Sequence, residues 1–323
     1  MLQAPFPYFG GKLPVAKIVW KALGQPKHYI EPFFGSGAVL LARPEYNPRS
    51  HMETVCDKDG FLANVWRSLQ FNPDEVARWC DWPVNHADLN ARRKVLLSNE
   101  SRLLENLITD DKWHDPVMAG YWIWAASCWI GAGLTRLDAR PHIASGGVGV
   151  HKLAKRHIFE TTKQSVQDPY NISIYEWFRQ LSERLRNVRV VCGDWTRVCG
   201  GNWQDSKGIC GIFMDPPYGV EDRNKEVYYC DSTEIAKDVL AWCKERGQIK
   251  TYRIVIAGYE EYQELLNEGW TYYKWKSHGG YALTSRNSKQ NNQGKINRNR
   301  ETLYFSPYCQ SIKKSSRLFE SLI

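Results

Sequence analysis

The stretch KHYIEPFFGSGAVLLA (27–42) constrains the fold more than any other part of the chain. An apolar run of strand length meets two closely spaced glycines, Gly35 and Gly37, and then helix-forming residues, which reads as strand, tight turn and helix. The next segment repeats the pattern, with METVCDKD as a second strand and GFLANVWRSLQ as a helix carrying Phe61, Leu62, Val65, Trp66 and Leu69 on one face. Strands alternating with helices predict an α/β fold built on a parallel, doubly wound sheet. VRVVCGDW, GICGIFMDPPYG and YRIVIAGY extend the sheet, and ETLYFSP ends it. TEIAKDVLAWCKERG is read as a helix stopped by Gly247, and EEYQELLNEG as another short helix. Several of the strands end in polar or glycine-rich turns, and in open α/β sheets ligands sit outside those carboxyl ends.

From 71 to 186 the pattern changes. Helical segments such as LNARRKVLLSNESRLLENLI and the aromatic stretch YWIWAASCWIGAG lead into the glycine-rich, basic GLTRLDARPHIASGGVGVHKLAKRH. This predicts a sheet domain made of 1–70 and 187–308, an inserted, mainly helical region at 71–186, and a peripheral tail at 309–323. Nine cysteines show neither a CxxC pair nor zinc-type Cys/His spacing, which points to reduced, packed thiols and a cytoplasmic setting, with no metal. No stretch approaches a membrane span, and the N-terminus lacks the order of a signal peptide.

The strand ends carry the chemistry. FGSGAV lacks the third glycine of the dinucleotide fingerprint, so on its own it is equally a structural turn. Asp57 lies twenty residues beyond Gly37 at the end of the second strand, where a carboxylate can accept bonds from ribose hydroxyls. It could instead cap the helix that follows, a task Asp59 could also perform. Glu31 would repel a phosphate, so a cationic, phosphate-free cofactor fits better. S-adenosylmethionine has these properties: an adenosine for Asp57, with a sulfonium and an amino group for acidic residues to face. In GDW, Asp194 could bond the adenine amino group and Trp195 cover its ring, or the three could be a polar turn with a packed tryptophan.

DPPY (215–218) ends a buried strand. An exocyclic amine on a base is a poor nucleophile because its lone pair is delocalised. Asp215 can accept one amino hydrogen and the carbonyl of Pro216 the other, with Pro216 and Pro217 fixing φ, while Tyr218 offers a ring for an extruded base.

Taken in order, the motifs resemble those of D12-class (Dam-like) DNA adenine-N6 methyltransferases, a group carried by phages and restriction-modification systems. PYFGGK is similar to the family's N-terminal motif, whose aromatic residue and lysine, here Tyr8 and Lys12, help hold S-adenosylmethionine. EPFFGSGAV resembles its cofactor loop, with Glu31, Phe33, Gly35 and Gly37; Asp57 matches its ribose-binding acid, and DPPY its catalytic tetrapeptide. IVIAGYEEY and RETLYFSP resemble later core motifs. The resemblance implies a Rossmann-like methyltransferase sheet, target recognition by the 71–186 insert, base flipping in double-stranded DNA, and in the restriction setting a cognate endonuclease. Cytosine-N4 methylation is the nearest alternative, and a catalytically silent DNA-binding protein keeping the cofactor fold is another.

Two basic stretches suit DNA phosphates. Residues 270–300 hold seven Lys/Arg and no acid among Trp, Tyr, Asn and Gln, with Lys289, Lys295, Arg298 and Arg300 as candidate contacts. The insert's glycine-rich loop supplies Arg136, Arg140, Lys152, Lys155 and Arg156. The net charge of +8 agrees with a polyanionic partner without requiring one.

Overall fold

The computed structural model describes residues 2–8, 11–129, 133–135, 143, 174–202, 204–205, 208–217, 233–275 and 301–312. Seven strands form one sheet: β1 (His28–Glu31), β2 (Met52–Asp57), β3 (Val188–Cys192), β4 (Cys210–Met214), β5 (Tyr252–Gly258), β6 (Thr271–Lys274) and β7 (Thr302–Phe305). Their order is β3-β2-β1-β4-β5-β7-β6. β1, β4 and β5 pair in parallel, whereas β7 runs antiparallel between β5 and β6. The sheet is therefore mostly parallel with an antiparallel edge, not parallel throughout. The central strands explain why they were legible: β1 and β4 are buried at every position, as expected of strands covered on both faces. β6 was not anticipated, because its TYYK is largely exposed and lies in the stretch read as a basic surface.

By contact density the chain divides into two compact units. One comprises Met1–Tyr8, Gly35–Gly37 and Val55–Val198; the other comprises Phe9–Phe34, Ala38–Thr54 and Cys199–Ile323.

The first unit is chiefly helical, with α3 (Gly60–Phe71), α4 (Pro73–Cys80), α5 (His86–Thr109), α6 (Pro116–Cys128) and α7 (Ile174–Leu185). α6 is apolar around much of its circumference and packs against α3, α4 and α5, burying Trp122 and Trp124. Gly120 permits the approach of α4, since a Cβ there would lie 2.4 Å from that of Trp79. Arg92 on α5 lies within 4.7 Å of the ring centroids of Trp82, Tyr121 and Trp124, so its charge is held among aromatic faces.

The second unit holds α1 (Leu13–Leu23), the single turn α2 (Ala38–Leu41), α9 (Thr233–Arg246) and the central strands; a short α8 (Thr196–Cys199) spans the boundary in sequence. α9 ends before Gly247, whose N–H bonds the carbonyl of Cys243. The expected helix at 260–268 is a 3₁₀ helix ending at Gly269, which has a φ of 81°. Arg43 and Glu53 form a fully buried ion pair at 3.0 Å, and Arg43 also stacks on Trp20 and bonds the carbonyl of Pro26. The described cysteines are free thiols, all buried except Cys309. Among the described residues no helix is long and apolar enough to cross a membrane.

Candidate active site at the strand ends

Chain order reverses at β1: the path runs outward to β2 and β3, then returns to β4 on the other side of β1. Such a switch point opens a crevice beyond the carboxyl ends of the strands. Glu31 ends β1 and Asp215 follows β4, and these strands are hydrogen-bonded neighbours with Ile30 opposite Ile212. Two carboxylates thus leave the sheet at the same edge.

Asp215 is held by Lys12. The Lys12 Nζ lies 2.9 Å from Asp215 Oδ2, and the lysine side chain is only 4 % exposed against 23 % for the aspartate. A cation this removed from water is stabilised by a carboxylate at contact distance. Glu31 is buried too, and Tyr29 Oη donates to its Oε2 at 2.8 Å. Burial pushes the Glu31 carboxyl well above the ordinary carboxylate range, the bond from Tyr29 opposes this, and the nearby negative charge of Asp215 adds to it. Pro216 is buried, while Pro217 and Phe33 are partly exposed. Tyr218 lies outside the described residues.

The second cluster belongs to the helical unit. Asp57 Oδ2 accepts the N–H of Gly35 at 2.8 Å, and its Oδ1 accepts that of Asp59 at 2.9 Å. Helix capping falls to Asp59, whose Oδ1 accepts from Phe61 and Leu62. Asp57 is therefore committed to the glycine turn and not to the helix. Gly35 and Gly37 have φ of 47° and 60°, and a Cβ on Gly35 would come within 2.6 Å of the Tyr8 ring. Tyr8, 37 % exposed, lies across this turn, and Trp66 Nε1 donates to the carbonyl of Gly35 at 3.0 Å. Burial raises the Asp57 carboxyl, opposed by the N–H groups of Asp59, Gly35 and Lys58, and raises Asp59 to about 7.

Asp194 Oδ1 accepts both the N–H and the hydroxyl of Thr196, so its side chain caps α8. Trp195 is 6 % exposed, a packed ring. Gly193 donates its N–H to the carbonyl of Asp57 at 2.9 Å, which ties GDW to the end of β2.

Sequence reasoning passed over Tyr29, although its position two residues before Glu31 on one strand puts both side chains on the same face. The basic residues proposed for DNA (Arg136, Arg140, Lys152, Lys155, Arg156, Lys289, Lys295, Arg298 and Arg300) lie outside the described residues. Among the described residues no group of His, Cys, Asp and Glu could hold a metal ion. In comparison with known proteins, no family model matches the chain, and no curated protein matches it.

Proposed function

We propose that the chain is an S-adenosylmethionine-dependent DNA methyltransferase acting on the N6 amine of adenine, built on a Rossmann-like sheet. The observation that carries this reading is the 2.9 Å ion pair between the buried Lys12 and the half-buried Asp215, which joins PYFGGK to DPPY although they lie far apart in the sequence. A solvated loop lysine would have no reason to be buried against that aspartate. The likeness to D12-class enzymes rests on the order of the motifs, and this pairing supports it.

The residues around Asp57 fit the adenosine end of such a cofactor. Its oxygens accept backbone N–H groups, among them those of Gly35 and Asp59, and a carboxylate offers about four lone-pair sites, so one remains for a ribose hydroxyl. The turn requires glycine at Gly35, where any Cβ would press on Tyr8. Glu31, oriented by Tyr29, faces the cationic amino group. When bound, the cofactor supplies a methyl group made electrophilic by its sulfonium.

The chain's own residues supply orientation and polarisation. Asp215 accepts one hydrogen of the target amine and the Pro216 carbonyl the other, which favours a tetrahedral nitrogen with its lone pair toward the methyl carbon. Lys12 fixes the Asp215 carboxylate in position. Tyr218 stacks on the flipped base.

Asp215→Asn and Lys12→Met test the assignment in a labelled-methyl transfer assay on DNA. Asp215→Asn is expected to lose about 10²-fold or more in rate while still binding cofactor. Full activity in Asp215→Asn would remove Asp215 from the mechanism.

A further inference from the structure

The opposite ends of β1 and β2 carry a second feature. An open cavity of about 560 Å³ lies there, lined by Gln25, Lys27, Pro48, Arg49, Ser50, His51 and Met52. Two lining residues are cations, one is a histidine, and none is a carboxylate. Neither Lys27 nor Arg49 is ion-paired among the described residues.

The loop that bears these groups is held in place from within. The carbonyl of Asn47 accepts the N–H groups of Ser50 and His51 at 3.1 and 2.9 Å, and its Oδ1 accepts that of Arg49 at 2.9 Å. The N–H of Asn47 donates to His51 Nδ1 at 3.1 Å, which fixes the imidazole against the loop. Met52 N–H bonds the carbonyl of Lys27 at 2.9 Å, and Gln25 Nε2 bonds that of Pro44 at 3.0 Å, joining the two walls. Beneath them Arg43 lies against Tyr46, its own charge offset by Glu53.

We propose that this cavity binds a phosphate group, as carried by a nucleotide unit, at a site separate from the carboxyl ends of the strands. The donors suit a tetrahedral dianion: the Arg49 fork, the Lys27 ammonium and the Ser50 hydroxyl. Pro48 and the half-exposed Met52 give an apolar shoulder for the attached sugar or base. The inference is independent of methyl transfer.

Backbone amide shifts of isotopically labelled full-length protein test it, by titration with inorganic phosphate, adenosine 5′-monophosphate and a short DNA duplex. The amides of Arg49, Ser50 and His51 are expected to move and saturate with phosphate and with the nucleotide. The double variant Lys27→Ala/Arg49→Ala should bind both at least about tenfold more weakly, a loss of about 1.4 kcal/mol. A duplex that moves the same amides identifies a nucleic-acid backbone as the source, and a duplex that leaves them still assigns the site to free nucleotides. The proposal is overturned if phosphate and the nucleotide leave these amides unmoved, or if the double variant binds as tightly as the parent.

Discussion

Asp57 and Asp59 differ in what their oxygens accept, and from this their tasks diverge. Asp59 caps α3 and has its carboxyl raised from 3.8 to about 7 by burial and by the charge of Asp57. A folded-state value above the unfolded one means that its stabilising contribution is complete below about pH 4 and is lost as pH rises to about 7. Asp59→Asn keeps an oxygen to cap the helix but has no charge to bury. It should therefore be more stable than the parent at pH 8 and show a flatter stability profile between pH 4 and 7, measured by urea denaturation; an unchanged slope would contradict this. Gly35→Ala should cost about 1–3 kcal/mol from its positive φ alone, and more from contact with Tyr8. If Asp57 and the turn hold the ribose, calorimetry should also show weaker cofactor binding in that variant. The sequence could not decide between Asp57 and Asp59, because either can cap a helix and only the direction of the Gly35 N–H separates them. It likewise offered Trp195 as an open ring or a packed one, and the structure shows it packed.

Among the elements, those buried on both faces were the legible ones. β1, β4 and β5 read as apolar runs ending in polar turns because their neighbours cover both sides. β6 stands at the edge with Tyr272 exposed, and its four residues TYYK show no buried face to set them apart from a basic loop. The short helix expected over EEYQELLNEG is present and is of the tighter 3₁₀ type, with Gly269 after its end in the left-handed region. Arg43 and Glu53 illustrate a link that spacing does not reveal: they bridge the end of α2 to the start of β2 with no exposure. Glu53→Ala leaves a buried guanidinium without its counter-ion, and a loss of about 3–5 kcal/mol is expected in equilibrium unfolding. A loss below about 1 kcal/mol would mean that water reaches Arg43.

Across the whole molecule, the order β3-β2-β1-β4-β5-β7-β6 brings Glu31 and Asp215 out on adjacent strands, with Asp215 paired to a buried lysine. The two motifs that Lys12 and Asp215 belong to were each visible in the sequence, but their contact was not, since nothing in the spacing of distant segments reports proximity. A fixed acceptor beside a preset carbonyl suits an exocyclic amine, and the carboxylate-bound glycine turn suits a nucleoside. The most direct test is nucleoside mass spectrometry of duplex DNA incubated with the purified protein and S-adenosylmethionine carrying an isotopically labelled methyl group. The account predicts labelled N6-methyladenine with the parent chain and its loss with Asp215→Asn. Label appearing on cytosine N4, or no label in DNA from a folded, cofactor-binding protein, would contradict it.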